Sequence, residues 1–185
     1  SPGEPSGIGP DLIIKLSSTN LWEDLKIPIV SIGDPKLFID RAAVLKKKIQ
    51  IVELESLNEV SKNTRGLLQI IKVTKCSDTR PGKLYKSNAQ YVLNNLTYSI
   101  EQTMQNEETA LVTGPLSKEN IISIDKLFIG HTEYIKKITK SKDVLMMLAS
   151  DQLRVALATT HIPLKNVSRT ITKELIINKI KILNE

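Results

Sequence analysis

Two histidines, one cationic loop and a run rich in glycine and proline hold most of the chemistry this sequence can offer. His161 follows the apolar run Leu153-Arg154-Val155-Ala156-Leu157-Ala158-Thr159 and stands two residues before Pro163. In open α/β sheets, ligands bind where loops leave the carboxyl ends of strands. An imidazole at that point can hold a divalent metal or move a proton. One histidine is not a metal site, however. Catalytic zinc-type sites take about three protein ligands, and the chain has no H-x-x-x-H or H-E-x-x-H pair. His131-Thr132 follows Gly130 at a helix start, where the imidazole, the hydroxyl and free backbone N–H groups can bind an anion. Simple capping by Thr132 is the competing account, and spacing does not choose between them. Lys118 follows Gly114-Pro115, and either pairs with a phosphate or carboxylate or is an exposed lysine opening a helix.

The run Pro2-Gly3-Glu4-Pro5-Ser6-Gly7-Ile8-Gly9-Pro10-Asp11 cannot be a strand or a helix interior. It predicts a tight loop feeding a helix that has Pro10 in its first turn, a geometry that presents N–H groups to an anion. The glycine spacing is neither the G-x-G-x-x-G of a dinucleotide fold nor a P-loop. Cys76 has no nearby His or second Cys, which leaves out an intramolecular disulfide and fits a reducing cytoplasm.

The positioning elements alternate between short β-type runs and helix-period segments. Helices are predicted from Asp11 to Leu21, Lys36 to Leu45, about Asn88 to Asn106, from about Glu119, over 133–140 with Thr132 as cap, and from Lys173 with Thr172 as cap. Strands are predicted at 27–32, 49–54, 109–113, 144–148 and 153–159, the last two joined by a turn at Ser150-Asp151-Gln152. Residues 55–87 are polar and weakly periodic, with a turn at Arg80-Pro81-Gly82. The class is α/β, with a mixed, mainly parallel sheet flanked by helices.

The net charge is +6, but 21 of the 26 cations are Lys and the aromatic content is only 4%. That balance argues against nucleic acid, which calls for Arg and stacking platforms, while still attracting an anionic metabolite. Lys46-Lys47-Lys48 is the densest cluster and reads as a solvated helix end. No apolar run is long enough to span a bilayer.

Five ordered motifs complete the reading: Pro-Gly-Glu-Pro-Ser-Gly-Ile-Gly-Pro-Asp (2–11), Thr-Gly-Pro-Leu-Ser-Lys (113–118), Gly-His-Thr-Glu-Tyr (130–134), Val-Leu-Met-Met-Leu-Ala (144–149) and Leu-Arg-Val-Ala-Leu-Ala-Thr-Thr-His-Ile-Pro-Leu (153–164). Together they closely resemble the 4-hydroxythreonine-4-phosphate dehydrogenase family. The resemblance implies NAD-dependent oxidation, with decarboxylation, of 4-phosphohydroxy-L-threonine in pyridoxal 5′-phosphate biosynthesis. It implies His131 and Thr132 as substrate contacts, His161 as a ligand of a divalent metal (Zn, Mg or Co), and Lys118 as a weaker catalytic candidate. It leaves the NAD-binding residues and the role of the opening loop unassigned. The implied fold is that of isocitrate and isopropylmalate dehydrogenases: two lobes, a cleft, and a cytoplasmic homodimer. The lobe boundary is expected near 115–130.

Family members are nearly twice as long, and their remaining metal-binding histidines and a Lys/Asn/Arg substrate set lie in the second half. The chain also starts inside a loop, without the strand that should precede it. The expectation is therefore an N-terminal fragment, inactive in isolation, with the apolar residues of its last helix (Leu175, Ile176, Ile177, Ile180, Ile182, Leu183) marking a surface that packs on a partner. A paralogue acting on an erythronate or threonate 4-phosphate and a non-catalytic binding or dimerisation module are the alternatives.

Overall fold

A computed structural model describes residues 1–184 of the chain. They fall into two compact units, Ser1–Ile129 and a second from Gly130 onward. Among the described residues no helix is long and apolar enough to cross a membrane.

The first unit is built on three parallel strands, β1 (Val30–Ile32), β2 (Gln50–Glu53) and β3 (Leu67–Ile71), in the order β1-β3-β2. The central strand lies inside the polar 55–87 stretch, where the sequence predicts no element. Its residues Leu68 to Ile71 are all buried, so the apolar–polar alternation that marks a half-exposed strand is missing. Leu68 and Ile70 face a core of Ile14, Trp22, Phe38 and Ala42, supplied by α1 (Gly9–Ser17), α2 (Asn20–Asp24) and α3 (Pro35–Val44). Ile71 faces the other side with Ile32 and Leu54, against which Tyr98 of α4 (Ala89–Gln105) packs. Gln69 is the one polar residue of β3. Its Oε1 accepts from the N–H and hydroxyl of Ser61 at 2.8 and 3.1 Å, and its Nε2 donates to the Ser61 carbonyl at 2.8 Å.

α4 follows its predicted stripe, with Ala89, Val92, Leu93, Leu96 and Ile100 buried; Met104, in its last turn, is exposed. The short α5 (Lys118–Ile122) packs beside it, buries Ile121 and is capped by Ser117, whose hydroxyl accepts from the Asn120 N–H. The predicted first helix is split in two: the Ser18 and Thr19 N–H groups bond back to Lys15 and Leu16, closing α1 before α2 begins.

The strand predicted at 109–113 does not form. Its partner is the opening loop, and the pairing runs Ser1 N to the Val112 carbonyl, Gly114 N to the Ser1 carbonyl and Glu4 N to the Pro115 carbonyl, at 2.8–2.9 Å. Pro2 and Pro115 have no N–H, so a continuous ladder cannot be built there.

The second unit contains α6 (His131–Thr139), an antiparallel hairpin of β4 (Met146–Ala149) and β5 (Arg154–Leu157), α7 (Leu164–Thr170) and α8 (Lys173–Asn184). The hairpin turn falls where the sequence placed it, closed by Ser150 N to the Leu153 carbonyl at 2.8 Å. Parallel and antiparallel strands thus form two sheets rather than one mixed sheet. Thr172 caps α8 as predicted, accepting from the Leu175 N–H at 3.1 Å. α7 was not predicted. Its seven residues carry only two large apolar side chains, too few for a helical stripe. Apart from Gly130, none of the described residues of this unit is fully buried. α8 leaves Ile177, Ile180 and Leu183 exposed.

One residue organises the amino end of the first unit. Arg41 of α3 is 3% exposed; its Nη1 donates to the Gly7 carbonyl (3.0 Å) and to Asp11 Oδ2 (2.9 Å), and its Nη2 to the Pro5 carbonyl (2.7 Å). Replacing it with Leu strips two enclosed carbonyls and a carboxylate of their donor. The expected cost is about 3 kcal/mol or more, seen as a lower urea midpoint with an unchanged slope. Asp11→Asn, which keeps a side-chain acceptor, should cost much less.

Candidate functional site

The opening loop is spent on the protein itself. Glu4 is buried, and its carboxylate accepts from the Ser6 N–H and from Asn120 Nδ2, each at 3.2 Å. The Gly7 N–H closes on the Glu4 carbonyl, and the Ser6 carbonyl accepts from the Gly82 N–H. The expected anion cradle therefore encloses an anion of its own. Glycine is required for contact: a Cβ on Gly9 or Gly114 would overlap the Pro2 carbonyl, and one on Gly3, at φ +80°, would overlap Pro115.

Polar groups also gather where β1 and β3 end. Asp34 caps α3 through the Lys36 N–H and is buried; its Oδ2 accepts from the Cys76 N–H at 2.8 Å, and Lys72 Nζ lies 3.5 Å from its Oδ1. The Tyr91 hydroxyl accepts from the Asp34 N–H at 3.0 Å, and burial raises its pKa. Burial, then the nearby carboxylates of Asp34 and Glu4, pushes the Cys76 thiol up to about 12. In the sequence, Gly33-Asp34-Pro35 reads only as a turn. Asp ahead of Pro, the pattern of a cap followed by Pro at N1, was the available signal for a buried carboxylate here.

The four residues singled out from the sequence divide between the units. Lys118 opens α5 in the first, with its side chain exposed. The other three lie in the second. His131 and Thr132 are the first two residues of α6, both half-buried. The helix starts earlier than predicted, because the Gly130 carbonyl already accepts from the Tyr134 N–H at 3.0 Å. Gly130 is thus the cap, not Thr132, and the Thr132 hydroxyl makes no hydrogen bond among the described residues. A helix N-terminus with an imidazole and an uncommitted hydroxyl in its first turn suits an anionic ligand.

His161 lies on the exposed loop between β5 and α7, at φ +56°. His enters this left-handed region more readily than most non-glycine residues, yet at a cost of about 1–2 kcal/mol. Among the described residues, no group of three or more His, Cys, Asp or Glu is placed to hold a metal ion. These residues supply at most one imidazole toward such a site, so they do not fit a complete one.

The second unit carries its own charge cluster. Lys179 Nζ donates to Asp143 Oδ2 and to the Val144 carbonyl, both at 2.7 Å, and Lys136 Nζ lies 3.8 Å from Asp143 Oδ1. The hydrogen bond from Lys179 is the main reason the Asp143 carboxyl sits below its usual value. This cluster links α6 to α8 through the segment before β4.

A family model described as pyridoxal phosphate biosynthetic protein PdxA matches residues 24–185. The chain belongs to the PdxA family. The 4-hydroxythreonine-4-phosphate dehydrogenase of Pseudoalteromonas translucida is 40% identical over 184 residues, covering 100% of this chain and 54% of the relative. That of Citrobacter koseri is 37% identical over 184 residues, covering 100% and 55%. The crystal structure of the Klebsiella pneumoniae 4-hydroxythreonine-4-phosphate dehydrogenase superposes with a TM-score of 0.87 at 24% identity, over 99% of this chain and 55% of that one. The Burkholderia phymatum structure gives 0.86 at 24%, over 97% and 54%. At that identity the structures speak for the fold. This PdxA-family chain spans about half the length of the relatives it matches.

Two measurements probe this geometry. Cys76 should react with iodoacetamide at pH 8 about a hundredfold or more slower than a free thiol, because the thiolate is the nucleophile; mass spectrometry of the native and urea-unfolded chain reads this directly. For Asp143, the folded pKa lies below the ordinary 3.8. Its contribution is fully present above that value and lost as pH falls through the lower folded one. Asp143→Asn should therefore destabilise the second unit at pH 7 and narrow the difference from the parent in strong acid, as followed by circular dichroism.

Proposed function

We propose that this chain is part of an NAD-dependent 4-hydroxythreonine-4-phosphate dehydrogenase that oxidises and decarboxylates 4-phosphohydroxy-L-threonine in pyridoxal 5′-phosphate biosynthesis. The observation that carries the proposal is identity of 37–40% running through the whole chain with proteins of that name. The family motifs at 130–134 and 153–164 fall on a helix N-terminus and on the loop after a strand, the two kinds of place where such chemistry is housed.

In this reading the first turn of α6 receives the phosphate. Its backbone N–H groups and dipole favour the dianion, with His131 and the Thr132 hydroxyl adding side-chain donors. Lys118 contributes positive charge and has the lesser role. His161 supplies one imidazole toward a divalent metal whose other ligands are not among the residues described.

The same proposal holds that the fold is of the isocitrate and isopropylmalate dehydrogenase kind, with a lobe boundary near 115–130, and that the enzyme is a cytoplasmic homodimer. Apolar side chains left exposed on the hairpin and on α8, among them Leu148, Leu153, Ile177 and Ile180, support a partner surface. The chain ending at residue 185 is expected to be inactive.

The test is NAD reduction with the phosphorylated substrate and a divalent metal, on this chain and on one extended to the length of its relatives. Activity in the extended chain alone supports the proposal. Activity only with erythronate or threonate 4-phosphate moves the assignment to a paralogue, and activity in the 185-residue chain removes the fragment reading. In the active protein His131→Ala and Thr132→Ala should raise KM by about tenfold or more, each removing one charge-assisted contact. His161→Gly separates structure from function. Glycine relieves the left-handed backbone, so thermal stability should hold or rise by up to about 1 kcal/mol, while kcat collapses. Retained activity in that variant would remove His161 from the site.

A further inference from the structure

The densest positive charge in the first unit lies at the amino ends of β2 and β3, the end of the sheet away from Asp34 and Cys76. α3 ends there in a tight reversal: the Lys46 N–H bonds to the Ala43 carbonyl at 3.1 Å and the Lys47 N–H to the Ala42 carbonyl at 2.9 Å. The connection entering β3 is pinned alongside, with the Gly66 N–H on the Ser17 carbonyl and the Gln50 N–H on the Gly66 carbonyl, both at 2.7 Å. Between them is a shallow, solvent-open depression of about 390 Å³ lined by Ser18, Lys46, Lys47, Lys48, Arg65 and Gly66, its four cations all exposed.

Four of the six lining residues are cations and none is acidic. Among the described residues, Lys46, Lys47 and Lys48 pair with no carboxylate. Arg65 is not a loose surface side chain. Its backbone N–H donates to Glu23 Oε1 (3.0 Å), its Nε to the Ser18 carbonyl (3.1 Å) and its Nη1 to Asn20 Oδ1 (3.0 Å), which leaves Nη2 uncommitted. Cations near helix carboxyl ends offset the dipole. Arg65 on the Ser18 carbonyl and one lysine after α3 would do that, and the depression holds two lysines more.

We infer that this depression binds a small polyanion carrying two or more linked phosphate groups. A guanidinium held in place beside three mobile ammonium groups matches several phosphate oxygens at once better than a single one. No aromatic ring lines the depression to stack a base, so recognition rests on the phosphate chain, whether free or part of a nucleotide, rather than on a nucleobase or a nucleic acid. None of its lining residues belongs to the proposed dehydrogenase site, so binding here and dehydrogenase activity are tested independently.

The test is titration calorimetry of the full chain at about 0.15 M ionic strength, where diffuse surface attraction is largely screened. The probes are inorganic tripolyphosphate, ATP and a single-stranded oligonucleotide. One-to-one binding of tripolyphosphate, weakened about tenfold or more in Lys47→Gln/Lys48→Gln and in Arg65→Gln and unchanged in Lys142→Gln, supports the assignment. Equal affinity for ATP identifies the phosphate chain as the recognised part; tighter ATP binding overturns that. No tripolyphosphate binding, equal weakening by Lys142→Gln, or tighter binding of the oligonucleotide overturns the proposal. Arg65→Lys, which keeps the charge but not the fork, serves if Arg65→Gln does not fold, and should still weaken binding.

Discussion

The guanidinium of Arg41 is enclosed on all sides and answers three oxygens: two carbonyls of the opening loop and the carboxylate of Asp11 in α1. Enclosing a charge is costly unless every donor finds an acceptor. The loop can present those carbonyls only in one shape, and that shape fixes the entry of α1 and its packing on α3. The same loop then reaches the opposite way, through the Glu4 N–H to Pro115 and the Glu4 carboxylate to Asn120 of α5. Two buried groups of opposite sign thus tie the first residues down: Arg41 holds them from 30 to 36 positions away, and Glu4 reaches α5 116 positions on.

Most helices were legible because their constraints are local. The stripe of α4, the Thr172 cap and the Ser150 turn depend on neighbours within four residues. The failures share a different cause. β3 is enclosed on both faces and carries no alternating pattern, so it vanished into a polar stretch. Residues 109–113 have a strand-like composition but face a proline-bearing loop. Thr132 has the chemistry of a cap, yet Gly130 already accepts the first helical bond. In each case the deciding partner was remote or was a backbone group, and side-chain identity does not record either.

For the site, the sequence marks residue types more readily than arrangement. His131, Thr132 and His161 all occur in the unit from Gly130 onward, whose described side chains build no fully enclosed core. Local order there comes from the hairpin, from helix caps and from the Lys179–Asp143–Lys136 cluster. Three of the four proposed site residues thus sit on the part of the chain least committed to apolar packing, while the first unit holds Lys118, the sheet and the large buried side chains. The glycine-rich opening, whose geometry could present N–H groups to an anion, spends them on the protein's own Glu4 and on contacts within the chain.

The amide of Gln69 has a bearing on how the sheet finds its alignment. It occupies the middle of the central strand, and all its hydrogen-bonding capacity toward the protein is met by one serine eight residues upstream. Shifting β3 by one residue against β1 and β2 would swing the amide into the apolar layer of Ile14, Trp22 and Phe38 and strand it without Ser61. An apolar residue there would fit either face nearly as well. A single polar side chain in a strand buried on both sides therefore works as a key, admitting one alignment of three strands whose hydrophobicity alone would tolerate several.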